Sequence, residues 1–284
     1  MQSRPLLKPP PRLLPVAKRM TIALGILASD GVAIAADSQE TYGDMTKGFA
    51  LKIHSAMTQT SIHSMVNSAV AITGAGSSAY LDAITYEILQ GFDKHQDTDL
   101  DAFSKHLKEC VEDFHARHVT PLPAHLAREI WVIVGAQIEG KSAMWSTDVS
   151  TVQPSLGFAA VGTGANFARM ALHNRVVGRM NAEAAALLAI LGVERAKQYD
   201  SYCGKDTTVT FLKNNLAFTV PPYEVTAAND LFERYAGIEY GAFLYALGKE
   251  SLDDGQRPQR LTRLLRKLRG DFTTLAARLL THNP

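Results

Sequence analysis

The sequence predicts an α+β fold in which two antiparallel sheets pack face to face and helices cover both outer sides. Three observations predict it. Short apolar runs come in pairs joined by turn signals. Two long helical patterns follow the first strands, and two more follow the second group, before a last pair of strands. The apolar fraction, 46% of 284 residues, is enough for a sizeable core. Hairpins alternating with helix pairs bury their apolar faces most simply by stacking in layers.

The elements follow in order. The first 19 residues, "MQSRPLLKPPPRLLPVAKR", are basic and proline-rich with no acidic residue, and read as disordered. Residues 1–20 are expected to be a removable leader or propeptide, unless Met20 is the true start. The body is expected over 21–220. Ile22 to Ala28 and Val32 to Ala36 are two apolar strands around the tight-turn signal Ser29-Asp30-Gly31. Lys47 to Met57 and Ser61 to Thr73 read as further strands, the second running into "GAG". Ser77 to about His95 places Leu81, Ile84, Ile88, Leu89 and Phe92 at helical spacing. Asp99 to about His118 does the same with Phe103, Leu107, Cys110, Val111 and Phe114. The prolines of "TPLPAH" break the chain, and a hairpin follows with its turn near Glu139-Gly140. "GFAAVGTG" is a short strand. Ala165 to Val176 and Asn181 to about Asp200 are helical, with Asn181 as N-cap. "TTVTFL" and "NNLAFTV" form the last hairpin.

Pro221-Pro222 marks a boundary, and 221–284 is expected to be a helical extension. Arg260 to Leu280 sets Leu261, Leu265, Leu268, Phe272, Leu275 and Leu279 at spacings of four and three, beside Arg260, Arg263, Arg266, Lys267 and Arg269. Such a stripe is expected to dock on the body or on a sister subunit.

Composition narrows the function classes. A formal net charge of +1 gives no global case for nucleic acid or a membrane surface. Two distant cysteines, Cys110 and Cys203, suit a reducing, cytoplasmic compartment. No apolar run reaches the roughly 18 residues of a membrane span. His115 and His118 with Cys110 lack a fourth zinc ligand at suitable spacing. "VGTGANFA" lacks the full phosphate-binding fingerprint. No cofactor or metal is expected.

One constellation carries chemistry. If the chain is cut before Thr21, that residue holds a hydroxyl nucleophile and an α-amine able to accept its proton. The amine has an ordinary pKa of about 7.7–8, close to working pH. A nearby Lys would disfavour protonation of the amine and steady developing charge on the hydroxyl oxygen. An Asp would hold the Lys. A glycine N–H opening a helix would stabilise an oxyanion. The chain supplies Thr21, Asp37, Lys52 and Gly76 in that order, with Gly74 an alternative donor.

The stretch "TIALGILASDGVAIAADSQETYG" resembles the opening of proteasome β subunits and of the bacterial heat-shock-locus peptidase, which are N-terminal nucleophile hydrolases. The resemblance extends to about Leu212, through "GAGSSAYLDA", "GFAAVGTGANFARMAL" and "AEAAALLAILGVERAKQYDSYCGKDTTVTFL". It implies a four-layer αββα sandwich. It implies Thr21 as nucleophile, Asp37 and Lys52 as the pair that tunes it, and Gly76 as oxyanion donor. Thr41 would pair its backbone with an extended substrate, and Asp200 would orient the hydroxyl network. Thr163 and Cys203 stand where the family usually has Ser. Glu40, in place of a small residue, is expected to turn the first side-chain pocket toward basic groups.

The function expected is a threonine endopeptidase acting on unfolded proteins inside a homo-oligomeric ring, with an ATPase unfoldase as a partner to be sought. A non-catalytic assembly subunit, with Thr21 never uncovered, is the second reading. A small-molecule amidase of the same nucleophile class is the third.

Overall fold

The computed structural model describes residues 21–42, 46–59, 66–94, 99–123, 130–176, 179–247 and 257–281. The leader, Met20, the expected strand start at 61–65 and the expected helix end at 248–249 lie outside them.

The opening hairpin is β1 (Ile22–Leu27) and β2 (Gly31–Asp37). A small hairpin, β3 (Gln39–Tyr42) and β4 (Thr46–Phe49), follows. Then come β5 (Ile53–Gln59), β6 (Val66–Gly76), and the helices α1 (Ser78–Lys94) and α2 (Leu100–His118). A second block holds β7 (Ile130–Ile138), β8 (Lys141–Asp148), β9 (Thr151–Pro154), β10 (Phe158–Gly162), α3 (Ala165–Leu172) and α4 (Ala182–Tyr199). The chain continues with β11 (Thr207–Lys213), β12 (Leu216–Thr219), α5 (Pro222–Ala246) and α6 (Arg257–Leu279).

One antiparallel sheet has the order β10-β1-β2-β11-β12 and the other β5-β6-β7-β8-β9, while β3-β4 stand apart. Side-chain alternation explains the stacking. Ile22, Leu24 and Ile26 point to α3 and α4, whereas Ile34, Ala36, Ala71 and Ile133 meet between the sheets. The other faces of β6 and β7, with Val70, Ile72, Val132 and Val134, meet Ile84, Ile88, Phe103, Leu107 and Phe114 of α1 and α2. The result is the expected α+β sandwich of two sheets between helices. The sheets lie close at Gly25, where a Cβ would come within 2.6 Å of Met144 and 2.7 Å of Ile133.

The alanines of α4 have a packing reason. Ala185, Ala186, Ala189 and Ala196 are buried because sheet covers one side and α5 and α6 cover another. The cap expected at Asn181 forms, accepting from Ala184 N at 3.0 Å.

Two expectations are corrected. The single strand expected from Lys47 to Met57 is two strands, with Lys52 in the break. β4 pairs with β3 while β5 pairs with β6, so the backbone must change partners between them. On α6, Leu268, Leu275 and Leu279 are buried and Phe272 packs on Phe232, but Leu265 is 41% exposed. The helices run antiparallel, with Arg278 on Glu224 and Arg234 on Asp271. Near their connecting end, Tyr240, Phe243, Leu247, Leu264 and Leu265 are all exposed, so packing on the body fades there.

Candidate active site

The β1–β2 register opposes Ala23 to Ala36, which brings the start of β1 to the end of β2. Thr21 therefore sits beside Asp37 as a consequence of the turn at Ser29-Asp30-Gly31. Thr21 Oγ1 donates to Asp37 Oδ1 at 2.5 Å, and Ile22 N donates to the same oxygen at 3.1 Å. Lys52, entering from the break before β5, donates to Thr21 Oγ1, to Asp37 Oδ1 at 2.7 Å and to Gln39 O at 2.5 Å. Asp37 Oδ2 accepts from Gly204 N at 2.9 Å. Thr21 and Asp37 are buried, and the Lys52 side chain is 13% exposed. A buried carboxylate so placed needs both its cation and its N–H donors, because stripping either leaves charge in a low-dielectric site.

The Thr21 carbonyl is held from the far side. Gly164 N donates to it at 3.3 Å and Thr163 Oγ1 lies at 3.5 Å. Gly162 has φ +98°, and a Cβ there would stand 2.2 Å from the Thr21 oxygen. Backbone at this φ strains any residue with a side chain. Gly162→Ala is therefore expected to displace Thr21, lowering stability by about 1–3 kcal/mol and with it the activity proposed below; thermal melting and peptide hydrolysis measured together check it. A variant melting and hydrolysing like the parent would remove this constraint.

The expected supporting residues are partly gathered. Asp200 uses Oδ1 to accept from Tyr202 N at 2.9 Å and Oδ2 to accept from Cys203 Sγ at 3.5 Å. Thr163 Oγ1 is 4.0 Å from Cys203 Sγ. Burial, then the charges of Asp37 and Asp200, hold the Cys203 thiol far above its ordinary pKa. It stays protonated and serves as a long, weak donor where a hydroxyl would bond more closely. Gly76 ends β6 at φ +128°, just before α1, whereas Gly74 lies inside the ladder opposite Val132. Of the two glycines, Gly76 is the one at the strand-to-helix turn. Glu40 and Thr41 lie on β3, opposite Gly48 and Lys47.

Sequence reasoning missed Gln39, Gly162 and Gly204. Gly162 stood in "VGTG", but its pairing with Ile22 joins positions far apart in the sequence. Nothing local singles out Gln39 or Gly204, whose partners come together only in the folded sandwich. Among the described residues there is no group of three or more His, Cys, Asp or Glu side chains arranged to hold a metal. No helix among them is long and apolar enough to cross a membrane.

No family model matches the sequence. The chain is 25% identical over 201 residues to proteasome subunit beta 1 of Thermococcus gammatolerans, spanning 69% of this chain and 90% of that protein. Among solved structures, a Gly-1 mutant of Anbu from Hyphomicrobium sp. strain MC1 superposes with a TM-score of 0.62 at 15% identity, covering 82% of this chain and 99% of that one. The helical assembly of the Anbu complex from Pseudomonas aeruginosa gives 0.61 at 15% identity, covering 83% and 99%. Anbu of Yersinia bercovieri, described as an ancestral β subunit, gives 0.59 at 14% identity, covering 82% and 98%. The chain is thus a distant sequence relative of a proteasome β subunit and shares its sandwich fold with the Anbu structures.

Proposed function

We propose that the protein is a threonine endopeptidase that cleaves extended segments of unfolded proteins within a homo-oligomeric assembly. The observation that carries this reading is the cluster of Thr21 Oγ1, Asp37 and Lys52 at hydrogen-bond distance in a buried site. Removal of the residues before Thr21 exposes its α-amine. The amine takes the hydroxyl proton, directly or through one water, as Oγ1 attacks the scissile carbonyl. Lys52 stabilises the charge growing on Oγ1, and Asp37 fixes Lys52. The N–H of Gly76 receives the oxyanion. The C–N bond breaks as the leaving amine takes the proton, and water then hydrolyses the ester on Thr21. Thr163, Asp200 and Cys203 steady the amine side. The β3 edge at Thr41 pairs with the substrate backbone, a geometry that accepts many sequences. The assembly named for the Pseudomonas aeruginosa relative and the subunit nature of the Thermococcus protein support an oligomer here too.

The second reading is a structural subunit with Thr21 unprocessed, favoured by the long contacts of Cys203. Intact mass of the purified protein decides between them. The peptidase reading expects a chain beginning at Thr21 and cleavage of fluorogenic peptides in preference to small amides. A chain that retains residues ahead of Thr21 and cleaves nothing overturns it.

The pocket is expected to favour Arg or Lys before the cut bond, because Glu40, half-buried on β3, would attract a cation. Profiling of peptide libraries should show that preference lost in Glu40→Ala. An unchanged profile takes Glu40 out of the pocket.

A further inference from the structure

Gln39 is buried although amide side chains are ordinarily exposed. A buried amide is kept because its hydrogen bonds are satisfied, so where they go is informative. Its Nε2 donates to Tyr202 O at 3.0 Å, across 163 residues of sequence. Its Oε1 lies against Gly204, where a Cβ would come within 2.5 Å. Its main-chain oxygen accepts from Lys52 Nζ. The neighbours on either side are fastened to the same turn. Asp37 Oδ2 accepts from Gly204 N, Ser38 N donates to Asp206 O at 2.8 Å, and Asp206 N donates to Ser38 Oγ at 2.9 Å. From the surface, Lys47 Nζ donates to Ser201 O at 3.0 Å.

The turn at 200–206 therefore hangs on the segment 37–39. That turn carries Asp200 and Cys203, whose mutual contact is long. A weak thiol bond cannot fix the turn by itself, so its position must be imposed from outside. Outside the proposed catalytic groups, and among the described residues, Gln39 touches both Lys52 and this turn.

We propose that Gln39 is a positioning residue, whose side chain sets the 200–204 turn, and so Asp200 and Cys203, relative to the Lys52–Thr21 pair. This rests on the peptidase reading of the same site. The backbone oxygen that holds Lys52 survives any substitution, so a side-chain change isolates the tie to the turn. Gln39→Met keeps the length and removes the side-chain donor to the Tyr202 carbonyl.

The test uses the assembled full-length protein, with hydrogen exchange over 200–206 and steady-state kinetics on one fluorogenic peptide. Gln39→Met should exchange the Tyr202 and Gly204 amides about tenfold faster or more. It should lower kcat by about tenfold or more, with KM changed by less than about threefold. The acid limb of its pH–rate profile should shift, because the groups around the Thr21 amine have moved. Lys47→Met removes only the outer bond and should leave kcat within about threefold. Unchanged exchange in Gln39→Met overturns the tether. Faster exchange with unchanged kcat and pH profile overturns its positioning role. If the parent hydrolyses no peptide, the peptidase reading fails, and the exchange result alone still decides whether Gln39 holds the turn.

Discussion

Thr21→Ala leaves a folded chain with no peptide hydrolysis, a loss on the order of 10⁴-fold or about 5 kcal/mol of transition-state stabilisation. The side chain is small, and its carbonyl, not its hydroxyl, anchors the strand to Gly164. Folding should therefore survive while the nucleophile is gone. Asp37 and Lys52 still hold each other at 2.7 Å when the hydroxyl is removed. Lys52→Ala should also cost several orders of magnitude, but by a different route. It strands a buried Asp37 carboxylate without its cation, kept by the Thr21 hydroxyl and the N–H groups of Ile22 and Gly204, so some stability goes too. Thermal melting separates the two losses. Hydrolysis by purified Thr21→Ala at the parental rate removes Thr21 as nucleophile. A loss below about tenfold in a folded Lys52→Ala, roughly 1.4 kcal/mol, removes Lys52 from the chemistry.

Much of the fold is legible because its signals are local. Asn181 caps α4 within three residues, and Glu139-Gly140 turns a hairpin with both residues at positive φ. The apolar spacings of α1 and α2 match the faces that meet β6 and β7. What periodicity cannot see is a change of partner. Lys47 to Met57 is uniformly strand-like in sequence, yet the ladder breaks so that Lys52 can enter the site. Of the candidate site, the cluster of Thr21, Asp37 and Lys52 was legible as residue types suited to one reaction, and the structure brings the three together. Its supports were not legible. Gln39 meets Tyr202, and Gly162 meets Thr21, only because segments far apart in the sequence lie side by side in the fold. Leu265 fails for a related reason. The α6 stripe continues past the surface it covers, and sequence spacing does not say where that surface ends.

Truncation after Pro222 is expected to turn a well-behaved particle into smaller species or insoluble protein. We propose that 221–284 is an extension that completes the core and stabilises the assembly. Val225, Leu231, Phe232, Leu268, Leu275 and Leu279 are buried in the same cluster as Ile190 and Val193 of α4. Each such side chain is worth about 1.5–3 kcal/mol against exposure, and its loss uncovers a matching apolar area on the body. Arg278 of α6 pairs with the buried Glu224 of α5 at 2.9 Å, and Arg195 of α4 pairs with Glu233 of α5 at 3.2 Å, the latter a partly exposed pair that adds little beside burial. Tyr240, Phe243 and Leu247 near the connecting end stay exposed in the single chain. Leu275→Ala offers a milder probe, expected to cost about 2–5 kcal/mol by leaving a cavity. Size-exclusion chromatography with light scattering on the truncated chain, and thermal melting of Leu275→Ala, measure the two parts separately. If Leu275→Ala melts lower while the truncated chain assembles and cleaves peptides like the full-length protein, the helices only cap the core, and the exposed cations Arg260, Arg263, Arg266, Lys267 and Arg269 become the place to seek a partner.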